Sequence, residues 1–348
     1  MQRLRRVKLV DALLWVLRIG IVIGVAVGVW ATLSAGKLSG DQWRNLVIIG
    51  VAQGSLYSLI ALGYTLVYGV LLMINFAHGD VFMFGAVTAF FVADALASDG
   101  WLNANPAIGL IIILAVSMLT SMLLAILLER IAYRPLRRAP RLVPLITAVG
   151  ASLFISNSAR GMFGEQVKAY PRIEALEGPI TIMGIPVQKT QALVILTAVI
   201  LMAVLWYVVE RTRTGRAMRA VSEDKDTAAL MGINVDRVIS TTFAIGGLLA
   251  GAAGILYALV FGQVSWIMGF LPGIKAFTAA VLGGIGNIIG AMLGGLSLGV
   301  LEQVGPNLLL GGFGVPSPNQ LRDVIAFSVL VLVLIFRPYG ILGRPESR

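Results

Sequence analysis

The chain has 348 residues, 58% of them hydrophobic and 13% charged, where a soluble globular domain carries about 25% charged residues. That balance excludes an ordinary soluble fold and points to a membrane protein. The lack of cysteine excludes disulfides, thiolate metal sites and cysteine nucleophiles, and the net charge of +10 has to be read by position rather than by sum.

A helix needs about 20 apolar residues to cross a hydrocarbon core of roughly 30 Å. Such runs lie at 12–34, 45–62, 80–98, 107–128, 142–160, 191–209, 238–261 and 321–336, with further apolar sequence at 63–76 and 273–301. The expected fold is all-α: a polytopic integral membrane bundle of about eight clear transmembrane helices plus glycine-broken segments, with no separate soluble domain. The first run follows a basic "MQRLRRVK" but is too long for a signal peptide and has no clear A-x-A site after it, so it reads as a retained anchor.

The segments 3–8, 130–141, 211–237 and 337–348 hold 4, 5, 6 and 3 basic residues, 18 of the 27 in the chain. The intervening segments hold few. By the positive-inside rule these four segments, and with them both termini, are cytoplasmic. The basic excess is thereby explained by topology, without nucleic acid.

Four spans bring the chain back inside at the Arg130 cluster, and the pair at 142–160 and 191–209 encloses a polar external loop, 164–190. Three apolar blocks then remain, yet a basic C-terminus on the inside requires an even number of crossings. The block "GIKAFTAAVLGGIGNIIGAMLGGLSLGVL" is interrupted at Gly283, Gly284, Gly286 and Asn287, and glycine costs about 1 kcal/mol relative to alanine inside a helix. It reads as a re-entrant hairpin or two short spans meeting at "GGIGN". The four-residue spacings Gly286, Gly290, Gly294, then Gly295, Gly299, and Gly247, Gly251, read as helix-packing surfaces.

A second break lies in "LGYTLVYGVLLMINFAHGDVFMFGA", where Asn75, His78, Gly79 and Asp80 fall between two apolar runs. Polar groups at membrane depth face a bundle interior or a water path. Asn75 and His78 are accordingly candidates for a substrate path, with Asp80 read as a cap on free amides where a helix begins. A lone histidine without acidic or thiol neighbours at ligand spacing does not indicate a metal. Gln53, Tyr57 and Tyr64, spaced by four and seven, share one helical face and either line the path or bond to a neighbouring helix. Thr278 completes the sparse polar set. Lys275 and Glu302 are expected to snorkel to an interface.

The patterns G-x-x-x-x-G-K-[ST], H-E-x-x-H, G-x-S-x-G and C-x-x-C are absent, so neither ATP hydrolysis nor another recognisable enzyme chemistry is expected of this chain, and no cofactor.

The stretch "RAVSEDKDTAALMGIN" remains, a charged cassette between two apolar spans. Ser222 reads as an N-cap, Glu223, Asp224 and Asp226 as first-turn acids, and Gly232 as a left-handed stop. Asn234 or Asp236 is expected to cap the following span. A helix over 223–231 is roughly 13 Å long and needs a surface to dock on.

This cassette, with "GYTLVYGVLLMINFAHGDVFMFGA", "ERIAYRPLR", "KAFTAAVLGGIGNIIGAMLGG" and the ending "RPYGILGRPE", resembles the LivH-type permeases of branched-chain amino-acid ABC transporters over residues 42–346. The resemblance implies a permease domain at 42–348 behind an extension, 1–41, carrying an extra anchor. It also implies a bacterial inner-membrane importer subunit paired with a LivM-type permease, two cytosolic ATPases and a periplasmic amino-acid-binding protein. The importers' coupling pattern E-A-A-x-x-x-G falls on Asp226, Thr227, Ala228 and Gly232, degenerate at its first two positions and without the downstream I-x-L-P. Urea and short-chain amide permeases resemble the same family and are the nearest alternative. A proton-coupled carrier with His78 and Asp80 as its relay is a more distant one.

Overall fold

The computed structural model describes residues 2–343 apart from positions 138, 141, 183, 316 and 338, with side chains for Ala12 and from Leu14 onward. Arg138, Arg141, Arg344, Arg348 and the side chains of residues 3–8, all used above for orientation, lie outside the described residues.

Thirteen helices follow in chain order: α1 Gln2–Ala35, α2 Gly40–Leu71, α3 His78–Ser98, α4 Trp101–Ala104, α5 Pro106–Leu128, α6 Leu142–Phe163, α7 Lys189–Arg211, α8 Arg213–Glu223, α9 Lys225–Leu230, α10 Val235–Phe261, α11 Phe270–Gly283, α12 Ile288–Leu310 and α13 Arg322–Phe336. Nine stretches among the described residues are long and apolar enough to cross a membrane, and α11 is a shorter apolar helix. The fold is the expected polytopic helical bundle. Its little sheet is confined to short pairs, β1 Lys168–Ala169 with β4 Gln263–Val264, and β2 Pro179–Ile182 with β3 Ile185–Gln188.

Those pairs solve the parity problem. β4 is tied to β1 in the polar 164–190 loop, whereas the far end of α11 lies beside the last residues of the chain: Ile341 and Leu342 donate their amides to the Leu282 and Gly283 carbonyls at 2.8 and 3.0 Å. Residues 265–283 therefore run from one end of the bundle to the other, 265–269 as irregular chain and the rest as α11. The chain turns at 284–287, where Gly284 and Gly286 take φ of +106° and +93°, a region that disfavours any residue with a Cβ. Asn287 then caps α12 by accepting from the Gly290 amide at 3.0 Å. The break falls where the glycines place it, but it joins one short helix to one full-length helix. Gly283 is not part of the turn: it lies in α11, against the Gly290 backbone.

Helix ends follow local chemistry elsewhere too. "SGDQ" forms a capping box at α2, with the Ser39 amide donating to Gln42 Oε1 at 2.8 Å and the Gln42 amide to Ser39 Oγ at 3.3 Å.

The core is built around α2 and α10. α12 packs most extensively on α2, and α10 on α5, through small residues that let backbones approach. On the first seam Gly54 faces Gly295 and Gly299, and Ser58 Oγ donates to the Met292 carbonyl at 2.8 Å. On the second, Gly247 and Gly251 face the α5 backbone, and Ser117 Oγ donates to the Gly251 carbonyl at 2.7 Å. Ser121 binds α3 in the same way, through the Val81 carbonyl at 2.9 Å. α1 lies against the end of α12, with the Gly312 amide donating to Thr32 Oγ1 at 2.8 Å, and leaves Trp15, Val16 and Trp30 exposed.

Lys275 and Glu302 do not snorkel. Lys275 Nζ lies 2.6 Å from both Glu302 Oε1 and Asp323 Oδ1, with Lys275 and Glu302 8% and 1% exposed. The reason is the neighbours: Glu302 is buried in α12, and a charge held there needs a partner, which Lys275 supplies while also meeting the half-exposed Asp323 of α13. This triad joins α11, α12 and α13.

Two outcomes follow. Gly299→Val sets a branched side chain into the Gly54 backbone and should destabilise by about 1–3 kcal/mol or more, read as a lower unfolding temperature of the purified protein. Gly24→Val, where nothing lies within 4 Å, should leave that temperature unchanged. Lys275→Met leaves Glu302 buried beside Asp323 and should cost about 3–5 kcal/mol; adding Glu302→Leu should restore much of the loss in the same thermal assay.

Candidate functional site

The first turn of α3, which begins inside the bundle at the buried His78, touches that of α11, which begins at the exposed Phe270. Gly79 faces Gly269 and Gly273 so closely that a Cβ on Gly79 would lie 2.5 Å from the Gly269 carbonyl oxygen and 3.1 Å from Gly273 Cα. Gly79 is thus a close-approach residue in the first turn of α3, not a helix breaker. The break before α3 is made by residues 72–77, which follow Leu72 in a left-handed conformation, φ 57°. Irregular backbone of this kind is tolerated at membrane depth only inside protein or beside a wet cavity.

Both surroundings are present. A cavity of about 670 Å³ lies between the C-terminal half of α2, α8, and the 284–287 turn, with Thr65, Tyr68, Arg219, Ser222, Glu223 and Phe277 in its wall. A second, of about 240 Å³, is lined by Tyr64, Phe76, Asp80, Val149, Ser152 and Phe270, together with Gly269, Gly273 and Ile274. An aromatic cluster stands between them. Phe277, on the larger cavity, has its ring centre 5.7 Å from that of Phe76 and 6.0 Å from that of Tyr64, both on the smaller one.

The sequence-derived polar residues divide into separate groups around this centre. His78 packs edge-on against Tyr64 at 4.9 Å, with Nε2 turned toward Gly63 and without a hydrogen-bond partner. Asn75 accepts from the Tyr133 hydroxyl at 3.0 Å, both side chains buried. Gln53 Nε2 donates to the Tyr57 hydroxyl at 3.1 Å, and Gln53 Oε1 accepts from Gln303 of α12, so this pair bonds to a neighbouring helix beside the Lys275 triad. Thr278 turns its hydroxyl back to the Ile274 carbonyl at 2.9 Å. None of these five residues lines either cavity.

Asp80 does. It was expected to cap α3, but the N-cap is Ala77, with no side-chain acceptor, and Asp80 is buried on the wall of the smaller cavity without a cationic partner among the described residues. Sequence reasoning missed it because a first-turn acid looks like a cap until the neighbouring helix is placed. It missed Tyr64, Phe76 and Phe277 as a cluster for the same reason: their contacts join separate helices.

The charged cassette folds with a shifted start. α8 runs through Ser222 to Glu223, and Ser222 Oγ turns back to the Arg219 carbonyl at 2.7 Å. The N-cap of α9 is Asp224, whose Oδ1 accepts from the amides of Asp226 and Thr227 at 2.9 and 3.1 Å while Oδ2 accepts from Thr227 Oγ1 at 2.7 Å. The hydroxyl of Thr227, then the two amides, hold the Asp224 carboxyl below its ordinary pKa, so the cap is kept until the pH falls through that lowered value. Ser222 lost the cap because Gly215, Met218 and Val221, every third residue, bury one face of α8 and carry the helix past it. Gly232 stops the helix at φ +83°, and Asn234 caps α10, accepting from the Arg237 amide at 2.9 Å. Ala228 is buried against its own chain, whereas Leu230 and Met231 are 87% and 78% exposed.

Beneath the cassette, Asp236 pairs with Arg134 and Arg137, and Arg137 also pairs with the fully buried Glu129. Ser240 Oγ donates to Glu129 Oε2 at 2.6 Å. These bonds fasten the start of α10 to the end of α5.

Comparison with known proteins fits this architecture. Residues 46–334 match the model of the family described as branched-chain amino acid transport system / permease component. The chain is similar to the high-affinity branched-chain amino acid transport system permease protein BraD of Pseudomonas aeruginosa, 44% identical over 88% of this chain and 97% of that protein. It is similar to the permease protein LivH of the same kind of system in Salmonella typhimurium, 42% identical over 85% of this chain and 94% of that protein, and in Escherichia coli, 41% identical over the same shares. No solved structure matches. A family match across most of the chain, with relatives above 40% identity over nearly their whole length, means that this chain belongs to the branched-chain amino acid transport permease family.

Proposed function

We propose that the chain is one transmembrane half of an ATP-driven importer of branched-chain, hydrophobic amino acids in a bacterial inner membrane. The observation that carries this reading is α9 with its bare apolar tip, on a chain whose relatives are named for branched-chain amino acid transport. Six residues make a helix of roughly 9 Å, too short to stand alone in water. Capped at Asp224 and stopped at Gly232, it is a preformed knob whose Leu230 and Met231 have no cover in their own chain.

The partners are a LivM-type permease, two cytosolic ATPases that dock on the 222–232 segment, and a periplasmic amino-acid-binding protein. Chain direction follows from charge: the basic segments at 130–141 and 211–237 face the cytoplasm, and an even number of crossings brings both termini there. The larger cavity then opens on the cytoplasmic side, beside Arg219, Ser222 and Glu223. The permease hydrolyses nothing itself. ATP binding drives alternating access by favouring one conformation of the pair over the other. The amino-acid reading is preferred to urea or short-chain amides because the relatives' names concern branched-chain amino acids and the smaller cavity is lined mainly by apolar side chains.

The test is coupling in the assembled complex. Leu230→Glu with Met231→Glu, and separately Gly232→Pro, should lower substrate-stimulated ATPase activity about tenfold, the effect of losing an apolar anchor worth about 1–2 kcal/mol. Binding-protein affinity for the amino acid should stay unchanged. Full activity in both variants, or uptake by the permeases driven by a pH gradient without ATPases, would remove the assignment.

A further inference from the structure

The smaller cavity combines features that select one ligand chemistry. Its volume of about 240 Å³ lies below the roughly 300–1,000 Å³ of pockets for drug-sized ligands, so it suits a small molecule. Phe76, Val149, Phe270 and Ile274 make most of its wall apolar.

Into that wall is set Asp80, 6% exposed. A carboxylate at membrane depth is costly unless a cation or strong donors meet it. Among the described residues no cation pairs with Asp80: Lys275 is taken by Glu302 and Asp323, and Arg134 and Arg137 by Asp236 and Glu129. The charged or titratable groups around Asp80 on the packed elements are Tyr64 of α2, His78 of its own helix and no acid or base of α6 or α11 in the cavity wall; Ser152 supplies the one neighbouring hydroxyl there. Asp80 thus stands in the cavity wall with the Ser152 hydroxyl beside it and no cationic partner among the described residues.

The opposite charge is met by α11. This helix begins at the cavity with Gly269 as its N-cap, which has no side chain to accept from the free amides of the first turn. A helix start so placed carries the positive end of the dipole and favours a carboxylate. Gly269, Phe270 and Gly273 bring the start of α11 into the cavity wall.

We infer that this cavity is an amino-acid subsite within the permease, with Asp80 binding the α-ammonium, the start of α11 facing the α-carboxylate and the apolar wall taking the branched side chain. The inference rests on the proposed import function and adds the residues that would recognise the substrate. The Tyr64–Phe76–Phe277 cluster stands between this subsite and the larger cavity, where release toward the cytoplasm would pass.

The experiment uses the whole transporter, reconstituted with its partner permease, ATPases and binding protein. Radiolabelled leucine is measured for uptake into proteoliposomes and for equilibrium binding to the solubilised complex without binding protein. Asp80→Asn, which keeps shape and removes charge, should weaken leucine binding and slow uptake about tenfold or more, about 1.4 kcal/mol. Asp80→Glu should recover part of both. Ile274→Trp, which fills the cavity, should also abolish binding. In wild type, 3-methylbutylamine should compete better than 4-methylpentanoate, and Asp80→Asn should erase that order. Unfolding temperature is followed in each variant, because a purely structural Asp80 would lower it and leave the analogue order intact, which overturns the inference. Wild-type uptake of leucine with an Asp80→Asn variant that binds and transports normally overturns the subsite alone. A wild-type complex that carries neither leucine, isoleucine nor valine overturns the proposed function and this ligand with it.

Discussion

No water reaches a hydrocarbon core to satisfy a free backbone amide, and α3 begins within this bundle, at the buried His78, against the start of α11. Every group freed at the start of α3 has to be enclosed by protein. The close contact of Gly79 with Gly269 and Gly273 meets that demand by removing the side chains that would hold the two starts apart. The rest of the packing follows. α2 shields the junction with Tyr64 and Gly63, and α12 must press against α2 along the Gly54–Gly295–Gly299 seam to close the far side. Larger residues on that seam would separate the shield from what it covers.

The same constraint sorts the polar side chains. Those that can be saturated internally are: Gln53, Tyr57 and Gln303 bond across the α2–α12 seam, the Lys275 triad ties three helices, and Thr278 returns its hydroxyl to its own helix. They stabilise position by joining neighbouring helices. In the first turn of α3, His78 Nε2 has no partner and Asp80 has no cation paired with it among the described residues. A search for function by polarity alone therefore finds mostly the cement between helices.

How much was legible in the sequence follows from which interactions are local. The spans and the turn at Gly284–Gly286 were readable, because hydrophobic length and a glycine cluster are properties of consecutive residues. So was the stop at Gly232 and the cap at Asn234. The cap at Asp224 was one step removed: Ser222 and Asp224 are both good N-caps, and the choice was made by the burial of Met218 and Val221, which extends α8. The pairing of Lys275 with Glu302, 27 positions away, and the cavity at Asp80 depend on how separate helices pack, and no spacing in the chain encodes them.

Packing also gives the cassette its reach. α9 is fixed at its start by Asp224 and leads through Gly232 to the Asn234 cap of α10, so it has little freedom to move without α10. The first turn of α10 is held to Arg134 and Arg137 through Asp236, and Arg137 and Ser240 both hold Glu129 at the end of α5. One π-helical turn later, Tyr133 donates to Asn75 in the segment that leads into α3. Force applied at Leu230 and Met231 therefore has a continuous bonded route to the broken helix, and every link is a directional bond or ion pair rather than a sliding apolar contact. The Tyr133 bond makes Asn75 a joint in that scaffold. It also explains why a polar residue is kept in an apolar run: without it, the start of α3 and the wall carrying Asp80 would be tied to the cytoplasmic elements by packing alone.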